Sequence, residues 1–397
     1  MIRFRSQTVV VAVLLMLTAA SAAAVATPNW GFFGHRRINR LATFTLPVEL
    51  MPFFRRHIDY LTEHAVDPDK RRYAVRGEAV RHYIDLDHYG HLPFPDLPRN
   101  YAEARLRYGR VLDVSSAGKD TVVWTFDTLL RADDLILLRT PQHTIDLPLR
   151  AYRRLWYGDL ELDRTDSLQQ LGLPLQGDRF ELVESFSDHG ILPYHLVTYH
   201  RRLTDAFVQG EPDRILQLAA EMGHYVGDAH VPLHTTENYN GQLTGQIGIH
   251  AFWESRLPEL FADEHYDYFV GPAKYIEDPT EYYWNVVLES HRLVDSVLTT
   301  EQRLSERFPA DRQECYEERL GRQVRTQCSE YARAWSEAMD GMVEERFRAA
   351  IRSVGSVWYS CWVDAGQPDL DQLMVSSAES VDTLSFPALL QPPRSHE

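Results

Sequence analysis

The chain has 397 residues, 44% of them hydrophobic and 25% charged, the proportions of a globular protein with room for one large domain or two ordinary ones. Its 57 acidic residues outnumber 41 basic ones, for a formal net charge of −16. That balance argues against stable binding of duplex nucleic acid, which needs a basic surface, but not against chemistry on anions when metal ions supply positive charge locally.

The chain opens as an export signal would. Arg3 and Arg5 give a positive start, Val9 to Leu17 form a short apolar run, and Ala19 to Ala26 are almost all small. Residues 1–26 read as a signal peptide cleaved after Ala24-Val25-Ala26, leaving Thr27 first in an exported protein, periplasmic or extracellular; an uncleaved anchor is the alternative. The three cysteines (Cys315, Cys328 and Cys361) are too few and odd in number for a disulfide framework. Cys315 and Cys328 could pair in an oxidising compartment, although spacing alone does not show it. None has metal-ligand spacing, so any metal falls to His and carboxylate.

Apolar residues recur near a 3.6-residue period over Arg37 to Phe44, Pro47 to His64, Arg214 to Val226, Glu281 to Leu298 and Glu314 to Val354, which predicts helices. Between about Val111 and Ser187 the pattern changes. Asp120 to Phe126 and Arg179 to Glu184 read as strands, punctuated by Gly, Pro and Asp. The expected fold is therefore mainly α: a multi-helix bundle over residues 27–370 with a small β-containing insertion around 111–187, and a flexible tail over 371–397.

Candidate chemistry concentrates in His224-Tyr-Val-Gly-Asp228-Ala-His230-Val-Pro-Leu-His234. On a helix His224 and Asp228 share a face, and Pro232 should end that helix and let His234 turn back toward the same pocket. His250-Ala-Phe-Trp-Glu254 repeats the one-turn His and carboxylate pair. Any one of these would ordinarily be a surface or satisfied core residue; together they favour metal, because zinc takes imidazole nitrogen and carboxylate oxygen. Upstream lie Trp30-Gly31-Phe32-Phe33-Gly34-His35, Asp67-Pro68-Asp69-Lys70-Arg71-Arg72 and His82-Tyr83-Ile84-Asp85-Leu86-Asp87-His88. Alone, these read as a helix cap, a solvated charged turn and a strand or helix edge.

Taken in order, Trp-Gly-x-x-Gly-His, the acidic turn, His-Tyr-Ile-Asp, His-x3-Asp-x5-His and His-x3-Glu resemble the zinc-dependent phospholipase C and single-strand-specific nuclease superfamily. The likeness covers roughly Trp30 to His88 and His224 to Glu254, and the whole-chain flavour is similar to a bacterial phospholipase C-like branch. It implies a phospholipase C/nuclease-like bundle holding two to three Zn²⁺ ions. His82, His224, Asp228 and an upstream Asp would hold one; His234, His250 and Glu254 a second; His35 and Trp30, with Asp228 bridging, a third. The upstream ligand is Asp69 or Asp67. Asp69 is preferred because Arg72, three residues on, matches an arginine that contacts phosphate in the family. In that family the tryptophan is the mature N-terminus, whereas cleavage after Ala26 leaves Trp30 internal and puts the third ion in question. The remaining histidines (His88, His91, His189, His195 and His230) read as packing or surface, with His195 a candidate to line the pocket.

The resemblance implies a hydrolase of phosphodiester bonds, with zinc lowering the pKa of water to about 7, Asp69 orienting or deprotonating it and Arg72 neutralising a phosphate oxygen. Glu254 and the acidic charge lean toward phospholipid head groups as substrate, with peripheral membrane contact. Single-stranded nucleic acid or nucleotides are the alternative, with Trp30, Phe32, Phe33, Tyr83, Phe252 and Trp253 as stacking platforms or simply as packing. A non-catalytic zinc-binding surface protein is the reading from another class.

Overall fold

The computed structural model describes residues 31–72, 74–75, 77–114, 121–130, 135–139, 144–148, 179–319 and 322–370. The signal segment, Trp30 and the tail over 371–397 lie outside the described residues. The protein is mainly helical. In chain order come α1 (Phe32–Ala42), α2 (Met51–Arg56), α3 (Ile58–Glu63), α4 (Asp67–Arg71) and α5 (Tyr101–Arg107). Strands β1 (Gly109–Val114), β2 (Thr121–Leu130), β3 (Leu135–Arg139), β4 (Thr144–Pro148) and β5 (Arg179–Glu184) follow. Then come α6 (Leu192–Gln209), α7 (Pro212–Ala229), α8 (Ile249–Ala251), a π-helical turn (Phe252–Arg256) and α9 (Leu257–His265). The last stretch holds α10 (Pro279–His291), α11 (Val294–Ser305), β6 (Glu314–Arg319), β7 (Arg322–Gln327), α12 (Ser329–Ala338) and α13 (Met342–Asp364).

The central element is α7. Pro212 sits at its start, where the missing N–H costs nothing, and from Leu218 to Ala229 every residue is buried. A helix enclosed on all sides must satisfy its polar side chains internally, so the acidic and imidazole groups along it are committed to specific partners. Helices α1, α6 and α13 pack around it. Asn39 ties α1 to its neighbours, its amide donating to Leu61 O at 3.1 Å and Ala220 O at 2.9 Å. On the far side the Trp358 indole donates to Ala219 O at 3.0 Å and stacks on Phe54, with centroids 4.9 Å apart. Burying a ring of about 200 Å² at about 25 cal/mol per Å² contributes about 5 kcal/mol before conformational entropy is subtracted. A second apolar cluster, with Phe252, Trp253, Tyr331 and Trp335, holds the segment that carries His250 and Glu254.

The insertion is a five-stranded antiparallel sheet in the order β4-β3-β2-β1-β5, larger than two strands of sequence suggest. Three expected helices are revised. Pro47 to His64 is broken into α2 and α3, and Glu281 to Leu298 is interrupted after His291. Glu314 to Gln327 is not helix: β6 and β7 form a hairpin closed by the Cys315–Cys328 disulfide and anchored by Arg256 to Glu317 at 2.5 Å. Here a covalent tie and a tertiary ion pair outweigh the helix propensity of a Glu- and Arg-rich stretch.

Candidate metal centre

Two side chains organise the site. Asp228, at the end of α7 and 1% exposed, turns its two oxygens to different neighbours. Oδ1 lies 3.4 Å from His35 Nε2, while Oδ2 lies 2.9 Å from His82 Nδ1 and 3.4 Å from His224 Nε2. Glu254, in the π-helical turn, does the same. Its Oε1 is 3.4 Å from His35 Nε2, and its Oε2 is 2.8 Å from His250 Nε2 and 3.5 Å from His234 Nε2. Asp69 completes the group at His82 and His224, with Oδ1 at 3.9 and 3.8 Å from their nearest nitrogens. Three sets of donors thus converge in one buried place: Asp69, His82 and His224; His35, His224 and Asp228; His234, His250 and Glu254.

The backbone explains the convergence. The helix ends at Ala229, and Pro232 opens a 3-10 turn that carries His234 back over the end of α7. The His82 segment is stitched to that turn twice, by His234 Nδ1 on His82 O at 2.5 Å and by Ile84 N on His234 O at 2.9 Å. His224 Nδ1 likewise bonds Ala65 O at 2.9 Å. In both rings a backbone carbonyl fixes the proton on Nδ1 and leaves Nε2 to face inward, the arrangement a metal-ligating histidine requires. His35 rides on α7 against the stacked ring of His224, 3.9 Å between centroids. It fits there because residue 227 is glycine; a Cβ would lie 2.9 Å from His35 Nδ1.

The electrostatics suit a cation. Five imidazoles and three carboxylates are gathered with no Lys or Arg paired to any of these carboxylates among the described residues. Burial alone would push the Asp228 and Glu254 carboxyls up, but the surrounding histidines hold both well below the usual carboxylate range. Burial would likewise lower His234, yet Asp228 and Glu254 raise it to about 9. Buried and ringed by other imidazoles, His224 is driven well down. Among the described residues the inward-facing His234 Nε2 has no hydrogen-bond partner. Such a donor set can hold metal ions.

Of the residues singled out from sequence, His35, Asp69, His82, His224, Asp228, His234, His250 and Glu254 meet here. Asp67 does not. Its carboxylate, 29% exposed, is taken by His64 at 2.5 Å and Lys70 at 2.7 Å, because the first turn of α4 points it away from α7. Trp30 lies outside the described residues, but Gly31 adjoins the site: a Cβ there would be 3.2 Å from Glu254 Oε1. Arg72 is half-buried, has no side-chain hydrogen bond among the described residues, and its charge reaches Tyr83. Phe252 and Trp253 are core residues, 2% and 3% exposed, and not stacking platforms. His230 bonds Ser353 Oγ at 2.9 Å, while His195 packs among Tyr199 and Tyr225 outside the three sets.

Sequence reasoning missed two features. Glu254 reaches His35 as well as His234 and His250, a link that no spacing announces. Arg71, read as part of a solvated run, pairs with Glu78 at 3.1 Å and Glu221 at 2.8 Å in a network with Tyr225 and Tyr199 beside His82. A scan against protein-family models and a search of curated proteins return no match to this chain. No helix of the described residues is long and apolar enough to cross a membrane.

Proposed function

We propose that the protein is a zinc-dependent hydrolase of phosphoric ester bonds, phospholipase C-like in its substrate. The observation that carries this reading is the split of Asp228 and Glu254, each placing one oxygen toward His35 and the other toward a separate group of imidazoles. Carboxylates shared in this way serve adjacent cations, and the donor set of nitrogen and oxygen without sulfur suits zinc. The resemblance of the ordered motifs to the phospholipase C and single-strand nuclease superfamily supports the same reading. Asp69 and His82 with His224 and Asp228 would hold one ion, His234, His250 and Glu254 a second, and His35 with the remaining oxygens of Asp228 and Glu254 a third.

Zinc bound there supplies Lewis-acid charge for the phosphoryl oxygens and lowers the pKa of water toward neutrality. The chain's own contribution is placement. The Asp69 carboxyl, which burial holds above its usual range, is positioned to orient the attacking water and accept its proton. The Arg72 guanidinium, which has no side-chain hydrogen bond among the described residues and whose charge reaches Tyr83, is available to a phosphate oxygen. Rigid packing of α7 keeps the ligands where they are before substrate arrives.

The loop between His234 and His250 favours lipid. Leu243 and Ile247, 67% and 70% exposed, stand on the loop between His234 and His250, where apolar side chains suit a lipid aggregate. One observation favours nucleic acid instead: Tyr239, 50% exposed, lies beside His250 with centroids 5.9 Å apart and offers a face for a base. The Cys315–Cys328 disulfide supports export, since disulfides persist in oxidising compartments. The test is hydrolysis of bis(p-nitrophenyl) phosphate by the zinc-loaded chain, with phosphatidylcholine vesicles and single-stranded DNA assayed alongside. Activity on the generic diester and on the lipid, abolished by His224→Ala in a folded variant, is expected. Cleavage of DNA alone would reverse the substrate order, and near-normal turnover by folded His224→Ala would remove the site from the chemistry.

A further inference from the structure

A fourth group of donors lies outside the three sets and shares no residue with them. Asp85, His88 and His189 each place a ligand atom within 4.8 Å of the others. His189 Nδ1 is 3.8 Å from Asp85 Oδ2, and the His88 and His189 rings lie side by side, tilted by 32° with centroids 3.7 Å apart. Glu237 closes the group, with Oε2 3.3 Å from His88 Nε2. We infer that Asp85, His88, His189 and Glu237 form an accessory binding site for a zinc-class divalent cation at the rim of the main centre.

Three arguments support it. The first is charge: Asp85, Asp87 and Glu237 gather here, and among the described residues no Lys or Arg is paired with them. The second is donor chemistry: two imidazoles with carboxylate oxygens make a zinc-type set. The third is rigidity. Asp85 N donates to His189 O at 2.7 Å, and Glu237 N donates to Asp87 Oδ2 at 2.7 Å. Gly190, at φ +87°, lets the turn lie directly on the backbone of Tyr83, where a Cβ would come within 2.1 Å of the carbonyl. The donors are therefore held by the fold and not by chance side-chain encounter.

The location gives the site a consequence. Asp85 follows His82 by three residues and Glu237 follows His234 by three, so a cation here ties together the two segments that carry main-centre ligands, plus the turn over Ser187–His189. His88, His189 and Glu237 are 30%, 35% and 51% exposed, so this ion exchanges with solvent more readily than ions held by the buried donors.

The experiment is metal content by mass spectrometry after dialysis of the full chain against graded free zinc, with thermal unfolding of the same samples. Wild type is compared with His88→Ala/His189→Ala and, for the main centre, His234→Ala. The double variant is expected to hold one zinc fewer at saturation, losing the most weakly bound ion and the last zinc-dependent rise in Tm. Hydrolysis of a soluble diester by the double variant should remain at the wild-type level. If the double variant does not fold, Asp85→Asn and Glu237→Gln are expected to show the same loss. Equal zinc content in wild type and every folded rim variant, at all free zinc concentrations, overturns the inference. Because the readout is stoichiometry, it stands or falls whether or not the protein hydrolyses phosphodiesters.

Discussion

Gly227→Ala separates the metal centre from the fold. The new Cβ would lie 2.9 Å from His35 Nδ1 and 3.2 Å from its Cε1, against an ordinary carbon contact of about 3.5 Å. The imidazole must therefore retreat by about 0.6 Å, some three times the roughly 0.2 Å that a metal–ligand distance tolerates. The ring has little room to recover, since it stacks on His224 and its Nε2 already faces Asp228 and Glu254. Overpacking of this kind costs about 1–3 kcal/mol, and replacing a mid-helix glycine by alanine returns up to about 1 kcal/mol. The metal-free variant should thus unfold within about 3 kcal/mol of wild type. Zinc affinity at the His35 position should fall at least about tenfold, the scale seen when a ligand's support is disturbed. Competition with a chromophoric chelator reads the affinity, and urea unfolding in excess chelator reads the stability. Wild-type zinc affinity and content in the folded variant would refute the assignment of His35 as a ligand seated on Gly227.

Asp67→Asn should leave zinc content unchanged, while Asp69→Asn should lower zinc affinity and hydrolysis together; a reversal of the pair, measured by dialysis and turnover, would return Asp67 to the site. Glu221 supplies a pH test. Burial raises its carboxyl, but hydrogen bonds from Arg71 and Tyr199 hold it below its ordinary value of 4.5, so its stabilisation is present above pH 4.5 and lost as pH falls through the folded-state pKa. The stability gap between wild type and Glu221→Gln, from urea unfolding, should narrow on acidification, and a gap constant from neutral pH to below 4 would argue against the network. Replacing Cys315 and Cys328 by Ser removes a short-loop closure worth about 3 kcal/mol; a loss of about 2–3 kcal/mol in urea is expected, and an unchanged midpoint would show that the hairpin is held by Arg256–Glu317 instead.

What sequence conveys and what it hides divides along the range of the interactions. His224 with Asp228 and His250 with Glu254 are one turn apart, so their shared direction follows from helical geometry before any tertiary contact is known. Pro232 likewise announces the turn that carries His234 back. The hairpin over Glu314 to Gln327 was hidden because its residues favour helix locally, whereas its disulfide, Arg256 and the Arg325–Glu314 pair favour the extended form. Arg71 was hidden for a related reason: whether a charge is solvated or buried depends on what packs above it, and Glu221 lies 150 residues away.

The same reasoning explains why the rim group is not legible in the sequence while the His224–Asp228 and His250–Glu254 pairs are. Asp85 and His88 sit three apart at the start of a 3-10 turn, and His189 belongs to a different turn about a hundred residues on, so no helical face groups them. What brings them together is backbone pairing of the segment after His82 with the Ser187–His189 turn and with His234. The same pairing seats His82 and His234 side by side at the end of α7. A fold that assembles one set of imidazoles and carboxylates in this manner delivers the next donors along each segment, Asp85 and Glu237, to a common place beside it. The second cluster thus rests on the same backbone pairing that seats His82 and His234, with His88 and His189 completing its donor set.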